Sequence, residues 1–169
     1  MENDVDLGVF RTRVYRMGPI GQWPDALELF YFPNGCMHCE HPSCIDVCPT
    51  KATFKTDEGV VLVDANRCFG CQYCVWACPY EARTLNPNTK IVEKCTLCVD
   101  KLDAGEQPLC CYTCTTGARV AGDMNDPDSR ISKVLAENAD RVYRVHPEFG
   151  NDPKVIYLVP RKGAETLCK

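Results

Sequence analysis

Apolar and polar residues alternate in two short stretches, and each stretch predicts a β-hairpin. TFKTDEGVVLVD predicts a strand, a turn at residues 57–59 and a second strand in which residues 60–63 point alternately to opposite faces. RTLNPNTKIVEK predicts another hairpin, because the Asn-Pro-Asn sequence at residues 86–88 is typical of a turn.

Weaker patterns flank these hairpins. FRTRVYR predicts an extended segment, and MGPIGQWP a loop after it. DPDSRISKVLAEN predicts a helix with Asp126 as its N-cap, Pro127 in its first turn, and a buried stripe of Ile131, Val134 and Leu135. VYRVHP and KVIYLVP predict short strands that wrap back. This mixture of helix and strand indicates an α+β fold.

Cysteine changes this picture, since 14 of the 169 residues are cysteine. At about 8% of a chain, cysteines usually build the fold, as disulfides of a secreted scaffold or as metal ligands of a reduced protein. The N-terminal residues lack the basic and apolar segments of a signal peptide, and no apolar run approaches the about 18 residues that span a bilayer. A cytoplasmic metalloprotein is predicted, and its net charge of −4 argues against a nucleic-acid partner.

One sequence unit occurs three times, as a cysteine run that leads into a short turn or helix. Its last cysteine is Cys48, Cys78 or Cys114, and an alanine follows four residues later in CPTKA, CPYEA and CTTGA. Such repetition predicts a repeated structure. The chain therefore contains two βαβ-like half-units and a third, partial one.

The spacing of the first two runs predicts two iron–sulfur clusters. The second run has gaps of two, two and three residues and is followed by Pro79, and the first run differs by two further residues in its middle gap. In two-cluster ferredoxins, three cysteines of such a run hold one [4Fe–4S] cluster and the fourth reaches the other cluster. Gly70 is expected where the loop backbone lies close to sulfide. Crossing the runs gives one cluster on Cys36, Cys39, Cys44 and Cys78 and another on Cys68, Cys71, Cys74 and Cys48.

Two other uses of these cysteines fit less well. Disulfides are disfavoured because cysteines three residues apart crowd one loop and no export signal is visible. A structural zinc site takes paired C-x2-C knuckles, which leaves the third and fourth cysteine of each run and both following prolines unexplained. Thiolates that bind iron–sulfur clusters account for the whole pattern.

The third run is less complete. Its cysteines have gaps of two, eleven and three residues. By the same crossing, the first three would hold a third cluster and the last would serve a fourth, but the sequence has no fourth run. The third cluster is assigned to Cys95, Cys98, Cys110 and Cys114, with the fourth ligand open between Cys114, Cys111, Cys168 and a ligand from elsewhere.

With these motifs the chain resembles, over essentially its whole length, the iron–sulfur electron-transfer subunit of the dimethyl sulfoxide reductase family of molybdopterin enzymes. CMHCEHPSCIDVCPTKA, RCFGCQYCVWACPYEAR and EKCTLCVDKLDAGEQPLCCYTCTTGA are similar to that family's second, third and fourth cysteine motifs. The resemblance implies one-electron relay through [4Fe–4S] clusters by a chain that is not itself catalytic. It implies a molybdenum or tungsten bis-pterin catalytic subunit as partner, with a membrane anchor subunit or a soluble donor beyond it. Related subunits can be exported with a signal-bearing partner, which leaves the compartment open.

The sequence departs from the family pattern at its start. The first motif, a compact C-x2-C-x2-C-x3-C run, is absent, and Met1 stands about where it would have ended. Thr115 replaces a proline, Cys111 is an additional thiol, and Lys51 and Glu81 stand where relatives usually have glycine. Three interpretations are open: the reading frame begins further upstream, one cluster is lost and the third is completed differently, or the third site holds three irons or none.

Other residues near the runs have expected roles. His38 and His41 are expected to make hydrogen bonds around the first cluster or to face solvent, because its cysteine ligands are complete. Arg11, Arg13 and Arg16 are expected on a solvated edge, with docking to an acidic partner as the alternative. An apolar shell that keeps water from the clusters is expected from Trp23, Tyr73, Trp76 and Tyr80.

These expectations define a ferredoxin-like organisation, a bacterial-type dicluster module with additions. Residues 1–32 form an N-terminal extended segment, residues 33–92 the dicluster module, residues 93–122 a half-module with the third cluster site, and residues 123–169 a C-terminal extension of helix and strands. A free-standing polyferredoxin and a redox-sensing interaction protein are the alternatives to a docked subunit. The long segments without cysteine motifs favour the docked subunit.

Overall fold

The computed structural model of the chain describes residues 5–22, 24 and 27–159, in which short helices and short strands are mixed. Within these residues the strands pair as four separate antiparallel hairpins: β1 (Thr12–Ile20) with β2 (Glu28–Gly35), β3 (Thr53–Lys55) with β4 (Val61–Val63), β5 (Thr84–Leu85) with β6 (Val92–Glu93), and β7 (Val142–Tyr143) with β8 (Tyr157–Leu158). The helices are α1 (Ser43–Asp46), α2 (Tyr73–Trp76), α3 (Val99–Asp103), α4 (Leu109–Tyr112) and α5 (Arg130–Glu137), with 3-10 turns at Ala139–Arg141 and Pro147–Phe149.

The chain divides into two compact units. Of the described residues, the first unit contains those up to Cys95 together with Val145–Val155, and the second contains Thr96–Arg144 and residues 156–159. The core of the first unit lies beside its cysteine loops, where Met37, Val61 and Val92 are among the most deeply buried side chains. Burial of these apolar side chains is the main favourable contribution to the stability of such a small unit.

A late segment of the chain returns to complete the first cysteine loop. The amide of Glu40 donates to the Asp152 carbonyl at 2.9 Å, and the amide of Lys154 donates to the Met37 carbonyl at 2.9 Å. The Asn151 side-chain amide donates to Ser43 Oγ at 2.7 Å across 108 positions of sequence. The loop that carries Cys36 and Cys39 is therefore braced by residues from the far end of the chain.

Several predicted elements are confirmed. The two hairpins between the cysteine runs are present as β3–β4 and β5–β6, and the two predicted C-terminal strands pair as β7 and β8. The three repeated units also share their structure: a four-residue helix (α1, α2 or α4) ends shortly before Cys48, Cys78 or Cys114.

Two local predictions are wrong. The loop predicted for MGPIGQWP is partly strand, because β1 continues through Ile20. The partner strand β2 was not predicted. Helix α5 begins later than expected, and its N-cap is Ser129, whose hydroxyl accepts a hydrogen bond from the Ser132 amide at 3.3 Å. Asp126 instead accepts a hydrogen bond from the Asp128 amide in the preceding turn. The predicted apolar stripe of α5 is half-buried.

Arg11 anchors the N-terminal segment through its side chain. The expectation that Arg11 is a solvated charge at a sheet edge is therefore wrong. Its Nη1 donates to the Lys94 carbonyl at 2.7 Å, and its Nη2 forms an ion pair with Glu93 Oε2 at 3.1 Å. Arg13 lies over the ring of Phe10, 5.3 Å from the centroid, whereas Arg16 is exposed as expected. Arg11 therefore holds the chain ahead of β1 against β6.

Replacement of Arg11 should measurably weaken the first unit. Arg11→Met is expected to lower the free energy of unfolding by about 1–3 kcal/mol, because hydrogen bonds from charged groups contribute in this range. Arg16→Met is the matched control and should cost less than about 0.5 kcal/mol, as surface substitutions usually do. The measurement is the midpoint of anaerobic urea unfolding of both variants, and equal midpoints would contradict the anchoring role of Arg11.

Among the helices of the described residues, none combines the length and the apolar character needed to cross a membrane.

Candidate iron–sulfur cluster sites

Four cysteines from two different runs surround one cavity in the first unit. Cys36, Cys39 and Cys44 come from the first run, and Cys78 comes from the end of the second run. All the described cysteines are free thiols. Within the described residues, no three His, Cys, Asp or Glu side chains converge as ligands of one metal ion do. The four thiols instead border a space between them, which suits a ligand of several atoms.

The protonation of these thiols reflects their proximity to one another. Burial raises the pKa of Cys39 to about 12, and repulsion from Cys36, Cys44 and Cys78 adds to it. Burial also raises the pKa of Cys44 to about 11, against the opposing charge of Arg83. Buried thiols this close cannot all ionise unless a cation compensates them. Iron supplies that charge when thiolates bind it, and binding releases the protons.

The second set of cysteines is also drawn together across the runs. Burial raises the pKa of Cys74, and Cys68 and Cys48 add to this effect through repulsion, while Arg83 opposes it. Cys48 accepts a hydrogen bond from the Thr53 amide at 3.5 Å. Cys71 lies on the loop directly before α2. The last cysteine of the first run thus approaches the cysteines of the second run.

Backbone conformation repeats at equivalent places in the three runs. In each run, the residue before the second cysteine has a positive φ: His38 (43°), Gly70 (74°) and Leu97 (57°). The residue three positions after each final cysteine is also left-handed: Lys51 (54°), Glu81 (50°) and Gly117 (66°). Its amide donates to the carbonyl of that cysteine at 3.0–3.2 Å. The sequence repeat is therefore a structural repeat, although only some of these positions are glycine.

Gly70 is required by a close contact within the protein. Besides its left-handed φ of 74°, a Cβ at this position would overlap the backbone carbonyl oxygen of Lys90 and lie 3.3 Å from Leu85 Cδ1. The close neighbour is therefore the β5–β6 hairpin of the protein itself.

The thiols at the end of the third run act on one another. Burial raises the pKa of Cys111 to about 11, and the adjacent thiol of Cys110 and the thiol of Cys114 contribute. Hydrogen bonds from Thr116 and from nearby backbone amides lower the pKa of Cys114 to about 7. Cys98 is the residue before α3. Cys168 lies outside the described residues.

The surroundings of the first set fit an anionic cluster. Arg83 and Lys94 are 3% and 2% exposed, and neither has a carboxylate partner among the described residues. Burial acts to raise the pKa of the half-buried Cys36, but the positive charge of Lys94 and the neighbouring imidazole of His38 outweigh it and lower this pKa to about 6. A [4Fe–4S] cluster held by four thiolates carries net negative charge, which would balance these buried cations.

Two buried hydrogen-bonding atoms next to these thiols also lack partners. His38 Nδ1 accepts from the Val61 amide at 3.2 Å, but His38 Nε2 and the Tyr80 hydroxyl have no hydrogen-bond partner in the described part of the chain. Buried polar groups are rarely left unpaired. Cluster sulfur is a suitable acceptor for both, so the residues present fit this cofactor.

The other expected roles divide between burial and exposure. His38 is buried and His41 is exposed, each within the expected alternatives, and Tyr80 is buried as expected. The shell prediction is wrong for Trp76 and Tyr73, which are 75% and 52% exposed and contact each other with ring centroids 6.0 Å apart. Trp23 lies outside the described residues.

Sequence reasoning missed three residues of the first site. Arg83, Lys94 and Asn151 are buried beside the thiols, but none belongs to the cysteine spacing itself. A signal existed for two of them, since Arg83 directly follows the alanine of the second repeat and Lys94 directly precedes Cys95. Asn151 carried no comparable signal.

Cysteine loops crossed in this way, with short helices and hairpins between them, define a ferredoxin-type iron–sulfur protein. A family model described as a 4Fe-4S dicluster domain matches residues 27–124. The protein belongs to this family, and it carries [4Fe–4S] clusters.

Individual relatives extend the similarity over almost the whole chain. It is 43% identical to the B subunit of the tetrathionate reductase of Salmonella typhimurium, over 94% of this chain and 63% of that protein. It is 44% identical to the B subunit of the sulfite dehydrogenase of Allochromatium vinosum, over 92% and 66%. It is 41% identical to the B subunit of the polysulfide reductase of Wolinella succinogenes, over 95% and 83%. The chain thus spans just under two thirds of the first two relatives.

Proposed function

We propose that this chain is the electron-transfer subunit of a larger oxidoreductase and relays single electrons to or from a molybdenum- or tungsten-pterin catalytic subunit. The observation that carries the proposal is the cavity bordered by Cys36, Cys39, Cys44 and Cys78, with buried cations beside it. The three relatives are B subunits of two reductases and a dehydrogenase, which supports a non-catalytic subunit in such a complex. A membrane anchor subunit or a soluble donor would exchange electrons at the other end.

The ligand sets follow from the crossing of the two runs. Four thiolates from Cys36, Cys39, Cys44 and Cys78 would hold one [4Fe–4S] cluster, and four from Cys48, Cys68, Cys71 and Cys74 a second. Each bound cluster supplies reversible one-electron chemistry. The protein contributes a low-polarity surround, built from side chains such as Met37 and Val61, and the hydrogen-bond donors that tune a cluster potential.

A third cluster is part of the proposal, on Cys95, Cys98, Cys110 and a fourth ligand such as Cys114. The support is the repeated backbone, since Leu97 and Gly117 adopt the same left-handed conformation as their counterparts in the first two runs. In this organisation residues 33–92 form a ferredoxin-like dicluster module, residues 93–122 a half-module, and the flanking segments brace them.

The test is anaerobic purification of the chain together with whatever large subunit it retains. Iron and acid-labile sulfide should reach about eight per chain for two clusters and about twelve for three, with EPR signals of reduced [4Fe–4S] clusters. A molybdenum- or tungsten-containing protein should copurify with it. A chain with the full iron content but no such partner would instead be a diffusible polyferredoxin, and a chain that holds zinc would contradict the proposal.

A further inference from the structure

Arg83 is buried in the wall of the first proposed cluster site. It follows the CPYEA repeat and lies just before β5, and its side chain points inward so that the residue is only 3% exposed. Its Nη2 donates to the sulfur of Cys44 at 2.8 Å, and its Nη1 donates to the hydroxyl of Thr53 at 3.2 Å. Thr53 is the first residue of β3, so the guanidinium is fixed at two points.

The same guanidinium acts on the second set of thiols. Thr53, whose hydroxyl accepts from Arg83, donates its amide to the sulfur of Cys48 at 3.5 Å. The charge of Arg83 also acts on Cys74. Cys44 belongs to the first ligand set, whereas Cys48 and Cys74 belong to the second. One planar, forked cation thus contacts a ligand of the first proposed cluster directly and a ligand of the second through Thr53, which the compact ammonium of a lysine could not match.

Within the described residues, the charge of Arg83 has no partner besides the thiols. An arginine side chain stays protonated at all ordinary pH values, and the burial of an unpaired charge is costly. Within the described residues, no carboxylate lies within ion-pair distance of its nitrogens, and the acidic groups that act on it most strongly are the thiols of Cys44, Cys74, Cys36 and Cys78.

We propose that Arg83 is a charge bridge between the two clusters, a positioning residue whose single positive charge raises the reduction potentials of both. This inference rests on the proposed function, because it assumes a cluster on each thiol set. Reduction adds one negative charge to a cluster, and a nearby buried cation favours the reduced state. Since Arg83 contacts the first set and is linked to the second through Thr53, its removal should affect both couples together.

Lys94 offers an internal comparison. It is also buried, but the thiols that act on it most strongly are Cys36, Cys95 and Cys44, none of which belongs to the second set. Lys94→Met should therefore change the couple of the first set, and that of the third set to which Cys95 belongs, and leave the second nearly unchanged.

The experiment is an anaerobic redox titration of the cluster-loaded protein, followed by EPR, for the wild type and the variants Arg83→Met, Arg83→Lys and Arg67→Met. Arg83→Met should reduce the equilibrium constant for one-electron reduction of two clusters by at least tenfold each, which is a shift of 59 mV in each potential. Arg67 is the matched control, since it precedes Cys68 but is exposed, and its charge is screened by solvent and salt. Arg67→Met should change the equilibrium constant for one-electron reduction of each cluster by less than threefold.

Arg83→Lys keeps the charge but not the fork, so it should preserve one potential more fully than the other and change the difference between them. A shift of only one couple in Arg83→Met, shifts equal to those of Arg67→Met, or failure of both Arg83 variants to retain iron would overturn the bridge. The iron content of the wild type distinguishes failure of the charge bridge from failure of the proposed function. A wild type without two [4Fe–4S] clusters refutes the function, whereas loaded clusters with unchanged potentials refute only the role of Arg83.

Discussion

The double variant Cys39→Ala/Cys78→Ala is expected to lose about four irons per chain, which is the iron content of a single [4Fe–4S] cluster. The two cysteines come from different runs but border the same cavity, so a cluster already lost with one of them cannot be lost again with the other. The double variant Cys39→Ala/Cys48→Ala should lose about eight irons, because its cysteines belong to different thiol sets. Iron and acid-labile sulfide analysis of anaerobically purified protein measures both.

These two double variants separate crossed from uncrossed ligand sets. If each run held its own cluster, Cys39 and Cys48 would share one, and the two iron losses would be exchanged. Each single variant, tested alone, gives the reference loss. Alkylation of the freed thiols followed by peptide mapping provides a second readout: Cys78→Ala should expose Cys36, Cys39 and Cys44, whereas Cys48→Ala should expose Cys68, Cys71 and Cys74.

Gly70→Ala is expected to destabilise the first unit by more than about 3 kcal/mol. Part of this cost, about 1–2 kcal/mol, is the left-handed backbone itself. The remainder arises because the new Cβ would overlap the Lys90 carbonyl oxygen, a backbone atom that can move only with the β5–β6 hairpin. Anaerobic urea unfolding and the iron content of the purified protein measure the effect.

Gly105→Ala is the matched control for Gly70→Ala. Gly105 has the same φ of 74°, but a Cβ there would have no atom within 4 Å. It should cost only the conformational part, about 1–2 kcal/mol. A further substitution of Leu85→Ala should not rescue Gly70→Ala, because it leaves the Lys90 carbonyl in place. If Gly70→Ala and Gly105→Ala prove equally mild, or if Leu85→Ala restores stability, the backbone contact is not the cause.

The repeated cysteine region was largely predictable from the sequence. Turn residues and alternation located β3–β4 and β5–β6, and the gaps between cysteines predicted that Cys78 would join the first run around one site. These signals are local or follow a fixed spacing rule. The assignment of individual ligands stays a prediction until iron is measured.

Other features depend on partners that are distant in sequence. Strand β2 has no clear alternation, with half-buried residues on both faces, and it forms because β1 pairs with it. Ser129 and Asp126 are both suitable N-caps by residue type, and only the path of the preceding turn selects Ser129. Arg83 and Lys94 are charged residues that composition would place at the surface, and the thiols around them explain their burial.

The return of Val145–Val155 to the first cysteine loop has a consequence for biosynthesis. A chain emerges from the ribosome from its N-terminus, and all ligands of both crossed sets are synthesised well before Asn151. Asn151 nevertheless forms part of the wall around the first set and binds Ser43 across 108 positions. The wall on that side is therefore missing until Asn151 has been synthesised, which leaves an opening for cofactor delivery. Residues 145–155 then close the site over its contents.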